Sequence, residues 1–153
     1  MPKRFIIAEV SSPAESQELD NLLWEVLWKP LYFPRNIREK FKIEGKPIEF
    51  TVKHEGKLIG GLIAYQTAPA EIEIRHLAVL PKFHGKGTGS ALVRQLLSYA
   101  SEKGCTRVYT IARNTSVDFF KKLGFTVNRQ QKPLDHPAFT KHGITFLLLE
   151  FSL

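Results

Sequence analysis

The chain has 153 residues, 43% of them hydrophobic, with 11 Phe, four Tyr and two Trp, and it carries a formal charge of +7 at neutral pH. That length is most simply one domain with its own core, and that composition excludes a disordered or low-complexity protein. A single cysteine, Cys105, excludes an internal disulfide and fits a reducing, cytoplasmic setting. No stretch approaches the roughly 20 apolar residues of a membrane span, so no membrane association is expected. The apolar run in "MPKRFIIAEV" is too short for a signal peptide. The positive charge predicts attraction to anions. Its carriers, among them Lys3, Arg4, Arg35, Arg38, Lys82, Lys86, Lys121 and Lys122, are scattered rather than gathered into a tail, which argues against a nucleic-acid partner.

In chain order, residues 5–10 read as a first strand. "SSPAES" supplies a helix start, with Ser12 as N-cap, Pro13 at the first helical position and Glu15 completing a capping box. Leu19, Leu22, Leu23, Val26 and Leu27 recur at helical spacing up to Pro30, where the helix should stop. Residues 31–46 read as a short helix or loop. "IEFTVKHEGKLIGGLIAYQ" predicts a hairpin turning at Glu55-Gly56-Lys57, and "AEIEIRHLAVL" a longer strand. A helix follows with Leu92, Val93, Leu96, Leu97 and Ala100 on one face, closed by Gly104. "RVYTIA" predicts a strand, residues 115–123 a short helix closed by Gly124, "FTVN" a short strand and "GITFLLLEF" a last one. Residues 129–143 read as a loop. The order predicts a mixed α/β sheet covered by helices, in a single domain over 1–153.

Between the longer strand and its helix stands "PKFHGKGTGSALV", residues 81–93. It is neither a Walker loop, since no Gly-Lys-Ser/Thr occurs, nor a G-x-G-x-x-G dinucleotide turn, since its glycines alternate. What survives is physical. Glycines opening a helix leave backbone N–H groups free, and with the helix dipole these favour a phosphate or pyrophosphate. Gly87 and Gly89 allow close approach, and Lys82 and Lys86 add positive charge.

With "NTSVDFFKKLGF" downstream, this stretch resembles the GNAT superfamily of acetyl-CoA-dependent N-acetyltransferases. His84 stands at that family's Gln/Arg position, Gly87 and Gly89 at its glycines, and Asn114 and Lys122-Leu123-Gly124-Phe125 match its second signature. The resemblance implies a mostly antiparallel central sheet, flanked by helices and splayed at the cofactor site. It implies acetyl transfer from acetyl-CoA, with no metal, to a primary amine of a small molecule or peptide. It places the strand segment Leu77, Ala78 and Val79 along the pantetheine arm, with the Leu77 and Val79 backbone pairing it as an extra strand. The N–H groups of Gly85, Lys86, Gly87, Thr88, Gly89 and Ser90 would cradle the pyrophosphate, and Asn114 would sit near the pantetheine. Two positions depart from the pattern. His84 replaces Gln or Arg. Phe120 stands where many members carry the Tyr that protonates the leaving thiol, a loss eased by a thiol pKa near ~8.5.

An amine with a pKa near ~10.4 must lose a proton before it attacks. Glu73 stands where the family often places that base, with a solvated pairing of Glu71 and Glu73 with Arg75 as the alternative; His76 is a second candidate, with a hydrogen-bonded core histidine as its alternative. Strand alternation predicts Glu71, Glu73 and Arg75 on one face, with Ile72, Ile74 and His76 on the other. A backbone N–H near Val79 would meet the developing oxyanion. Cys105 reads as a small packing residue. His54, His136 and His142 lack metal-ligand spacing. "LDHPAFTKHGI" and the segment from Pro30 to Phe41 are candidate walls for the acceptor pocket. An acceptor carrying a carboxylate suits the charge better than a polyamine, and dimers through sheet edges are compatible with the pattern. A module that binds CoA without turnover is the competing reading, with Phe120 in its favour.

Overall fold

The computed structural model describes residues 5–153, so Lys3 and Arg4 lie outside the described residues. Strand β1 (Phe5–Glu9) leads into α1 (Pro13–Leu23). Ser12 caps this helix by accepting the Glu15 N–H at 3.1 Å, and the Glu15 carboxylate reaches back to the Ser11 N–H at 3.1 Å. That is a capping box shifted by one residue. The helix does not run straight to Pro30. Trp24–Trp28 widens into a π turn and Lys29–Leu31 tightens into a 3-10 turn, ending at Tyr32 with φ 65°. Pro30 lacks the N–H that a regular ladder would need there.

Strands β2 (Lys46–His54) and β3 (Lys57–Ala68) form the expected hairpin, with positive φ at both Glu55 (51°) and Gly56 (80°) as a tight two-residue turn requires. They are followed by β4 (Glu71–Val79), α2 (Thr88–Glu102), β5 (Arg107–Arg113) and α3 (Val117–Lys122). The chain closes with β6 (Thr126–Val127), α4 (Pro137–Thr140) and β7 (Phe146–Ser152). Helix α4, inside the segment read as a loop, is only one turn long. Its N-cap is His136, whose Nδ1 accepts the Ala138 N–H at 3.2 Å, with Pro137 next. No helix among the described residues is long and apolar enough to cross a membrane.

The sheet order is β1-β2-β3-β4-β5-β7-β6, and only β4 and β5 run parallel. On one face α2 and α3 bury Leu92, Val93, Leu96 and Phe120 against Leu62, Ala64, Ile72, Ile74 and Val108, with Cys105 packed as a small apolar side chain. On the other, α1 buries Leu19, Leu22 and Leu23 with Trp28, Ile63, Ala78 and Phe139.

The alternation expected along β4 breaks. Ile63 pairs with His76 and Ala64 with Ile74, so Arg75 is an extra residue in a β-bulge. Beyond it the faces exchange. His76 therefore does not share a face with Ile72 and Ile74; it turns toward α1 and packs edge-on against Trp28 at 4.9 Å.

Gly61 lets α1 lie close to the sheet. A Cβ there would stand 2.7 Å from the Phe50 carbonyl oxygen and collide with Leu19. Gly61→Ala should lower stability by about 1–3 kcal/mol through this overpacking. The expected reading is a lower urea midpoint at unchanged slope.

Candidate active site

The site begins where β4 and β5 part. Their pairing runs from Glu71↔Arg107 to Ile74↔Thr110 and stops, with Thr110 Oγ1 donating to the Ile74 carbonyl at 3.1 Å. Beyond that rung β4 continues only with β3 and β5 only with β7. The Leu80 N–H donates to the Ile59 carbonyl at 2.8 Å. By antiparallel alternation the Val79 and Leu77 backbone groups then point away from β3, into the gap.

A cavity of about 460 Å³ passes through the split. On the α2 side it is lined by Leu77, Thr110, Ala112, Ser116, Phe119 and Phe120. On the α1 side its walls are Leu27, Trp28, Phe41, Arg113, His136, Phe139 and Phe146. The two segments expected as acceptor walls both line the cavity, Pro30 to Phe41 through Phe41 and "LDHPAFTKHGI" through Leu134, His136 and Phe139. Among the described residues that line it there is no Asp or Glu.

At the end of β4 a 3-10 turn (Pro81–Phe83) leads to the glycine loop. Gly85 (φ 77°) and Gly87 (φ 78°) are left-handed, and a Cβ on either would meet nothing within 4 Å. Their requirement is backbone conformation, and the space above them is open. Gly87 is the N-cap of α2 and no side chain caps that helix, so its first-turn N–H groups face this space. Thr88 is buried, and Gly89 sits against the Phe119 ring, 3.5 Å from where its Cβ would be. Lys86 and Ser90 complete the loop on either side of Gly87. The uncapped N-terminus, the open glycines and the free β4 edge suit a ligand with phosphates and an extended arm.

Several expected site residues are already engaged within the protein. The His84 ring, at 2.7 Å from the Val79 carbonyl, donates Nε2–H to it and closes the loop onto the strand end. The Asn114 amide donates to the Gly143 carbonyl at 3.2 Å and accepts the Thr145 N–H at 3.1 Å, clamping the entry to β7. Asn114 does not line the cavity. Phe120 does, 4% exposed and packed edge-on between Phe119 and Phe125.

The two base candidates differ. Glu73, 6% exposed, accepts from Arg75 Nη1 at 2.9 Å and lies outside the cavity lining. Arg75 also donates to the Phe41 carbonyl, at 2.6 Å from Nη2 and 3.2 Å from Nε. His76 lines the cavity. Burial pushes its pKa down to about 3, helped by the Arg38, Arg75 and Arg113 charges and opposed by Asp20. Its ring is therefore neutral at physiological pH.

Sequence reasoning passed over Trp28, Thr110, Arg113 and Ser116. Ser116 precedes Phe120 by one helical turn, a spacing that puts both on one face. Arg113, directly before Asn114, carried no local signal.

A family model described as the acetyltransferase (GNAT) family matches residues 15–125. An uncharacterised N-acetyltransferase of Mycobacterium tuberculosis is 28% identical over 81 residues, covering 51% of this chain and 52% of its own length. The chain thus matches about half the length of such curated relatives. Among solved structures, an IAA acetyltransferase from Bacillus cereus is 23% identical over 98% of this chain and 100% of its own, with a TM-score of 0.71. A GNAT family acetyltransferase from Elizabethkingia anophelis with acetyl-CoA bound is 17% identical over 97% of this chain and 98% of its own, with a TM-score of 0.68. These two likenesses speak for the fold. The family model, which spans most of the chain including the glycine loop and the second signature, shows that the protein belongs to the GNAT acetyltransferase family.

Proposed function

We propose that the cleft transfers the acetyl group of acetyl-CoA directly to a primary amine. The observation that carries this reading is a cavity that crosses the sheet at the β4/β5 split, beside an uncapped helix N-terminus. Phosphates, an extended arm and a reactive end would then lie along one line, with the acceptor entering from the opposite face. The solved relative with acetyl-CoA bound supports the choice of acyl donor.

Acetyl-CoA would supply a thioester: the amine nitrogen would bond to its carbonyl carbon, the C–S bond would break with sulfur leaving as thiolate, and the surplus proton on nitrogen would pass to that thiolate or to water. The chain's own contributions are positional. Gly85 to Ser90 would hold the phosphates, and the Leu77 and Val79 amides would align the arm, the latter meeting charge that develops on the carbonyl oxygen. The Ser116 hydroxyl would donate a hydrogen bond to the departing sulfur, a role Phe120 cannot fill. His76, neutral and facing the cavity, would accept a hydrogen bond from the attacking amine. Glu73 would act through Arg75, which it holds in place.

Phe120 keeps the second reading alive: a module that binds CoA without turnover. Thiol release from acetyl-CoA, followed across a panel of amines, separates the two. Steady release with at least one amine is expected; tight CoA binding with no release from any amine would establish the second reading instead.

Gly87→Ala should raise KM for acetyl-CoA roughly 5- to 30-fold through the left-handed penalty, with kcat nearly unchanged. Ser116→Ala should lower kcat roughly 10-fold at constant KM for acetyl-CoA, the worth of one hydrogen bond to a charged group. His76 gives a prediction without turnover. The folded chain takes up this proton only near pH 3, whereas the unfolded chain takes it up near 6.5. Between those values the unfolded state holds the extra proton, so stability falls as pH drops, by up to about 1.4 kcal/mol per pH unit. Urea midpoints at pH 7 and pH 5 should show a smaller drop in His76→Gln than in the parent.

A further inference from the structure

We propose that Arg113 is an anion site in the acceptor half of the cavity, and that the acceptor is a small primary amine bearing a carboxylate and an apolar or aromatic body. The amine part of this statement rests on the transferase reading; the anion site does not.

Arg113 ends β5 on the face turned toward α1, where alternation also places Tyr109 and Ile111. One of its donors is spent: Nη2 reaches the Leu27 carbonyl at 3.0 Å, an oxygen presented by the π turn. The guanidinium lies over the Phe139 ring at 5.6 Å. Among the described residues the sole fully buried side-chain nitrogen or oxygen without a partner is Arg38 Nε. The remaining Arg113 donors therefore open on accessible space, and the cavity they line is that space.

Charge distinguishes Arg113 from its neighbours. Arg35 and Arg38 share Asp20, Arg75 has Glu73 at 2.9 Å, and Arg107 lies between Glu71 and Glu150. Among the described residues no carboxylate pairs with Arg113 in this way. A guanidinium drawn largely out of water without a counter-charge is costly, and burial lowers its pKa without making it neutral at physiological pH. Bonding one backbone carbonyl needs no positive charge. A ligand carboxylate would supply the missing partner, and the guanidinium fork suits it in bidentate fashion.

The walls around this charge say what the rest of the ligand is. Leu27, Trp28, Phe41, Phe139 and Phe146 surround it with apolar and aromatic surface, and no Asp or Glu among the described lining residues would receive a second cation. A polyamine meets repulsion there. An amine with a carboxylate on or next to the same carbon would instead be held at Arg113 with its nitrogen turned to the split, where Leu77 and His76 border the cavity.

The test uses the full chain and two matched pairs. For binding, 3-phenylpropionate and its neutral amide are titrated against tryptophan fluorescence, which Trp28 in the wall should report. For turnover, thiol release from acetyl-CoA is compared for phenylalanine and 2-phenylethylamine. The carboxylate member of each pair should be preferred by roughly 10- to 100-fold, in Kd for the first and in kcat/KM for the second. Arg113→Gln should abolish both preferences while KM for acetyl-CoA stays within about twofold, and Arg113→Lys, which keeps the charge, should retain part of them. Equal binding of acid and amide, or preferences that survive Arg113→Gln, would overturn the anion site. Arg113-dependent binding of 3-phenylpropionate with no thiol release from any amine would uphold the site and overturn the transferase reading. Rapid acetylation of both amines alike would do the reverse.

Discussion

The parting of β4 from β5 governs the molecule. Parallel pairing lasts only from Glu71↔Arg107 to Ile74↔Thr110, and it is pinned at its base by Arg107, which reaches Glu71 at 2.9 Å and Glu150 at 2.8 Å. Thr110 Oγ1 ties off the last rung on the Ile74 carbonyl. Past that point two strand edges face each other unpaired, an arrangement that buried backbone tolerates only with some other partner. The protein supplies one itself, the His84 ring on the Val79 carbonyl. The others are open to whatever enters the gap, and the gap is where the cavity crosses the sheet.

The bulge at Arg75 decides what that gap contains. Without the extra residue, His76 would face α2 and the acceptor half would lose its one imidazole from the sheet. With it, His76 meets Trp28 edge-on at 4.9 Å, Trp28 stacks on Phe41 at 5.9 Å, and Phe41 adjoins Phe139 at 6.0 Å. Arg75 holds the arrangement together by bonding Glu73 and the Phe41 carbonyl simultaneously. One inserted residue thus re-aims a side chain and releases an arginine to tie a distant segment to the sheet. The π turn after α1 acts in the same direction, since it presents the Leu27 carbonyl to Arg113 and Trp28 to His76.

What the sequence made legible was local. The cap at Ser12, the hairpin at Glu55-Gly56, the helix after Gly87 and the succession of strands along the chain follow from periodicity and turn chemistry that act over a few residues. What it hid depends on partners far along the chain. The face of His76 depends on register against Ile63, which alternation within β4 cannot reveal. Glu73 already reads from the sequence as either a base or a partner of Arg75, whereas the hold of the Asn114 amide on residues 143–145 has no local signal. Arg113 reads as an ordinary strand-end arginine because nothing local marks a cation without an acid. Composition counted a charge of +7, whereas chemistry at the cleft depends on which of those charges stays unneutralised.

That last distinction bears on which amine the cleft can use. Neither base candidate read from the strand is free to take a proton at physiological pH: burial pushes the His76 pKa down to about 3 and Glu73 is engaged by Arg75. On the proposed reading, an attacking nitrogen would therefore arrive largely neutral. A lysine-type amine with a pKa near ~10.4 is neutral to only about 0.1% at pH 7.4, whereas an α-amine near ~8 is neutral to about 20%, a difference of roughly two hundredfold. An adjacent free carboxylate raises an α-amine above that value by stabilising the ammonium form. Pairing the carboxylate with Arg113 cancels this stabilisation, and the guanidinium further disfavours a second cation nearby. On the proposed reading, the arginine that selects the ligand would also serve the chemistry, because capturing the carboxylate would help strip the proton from the amine beside it.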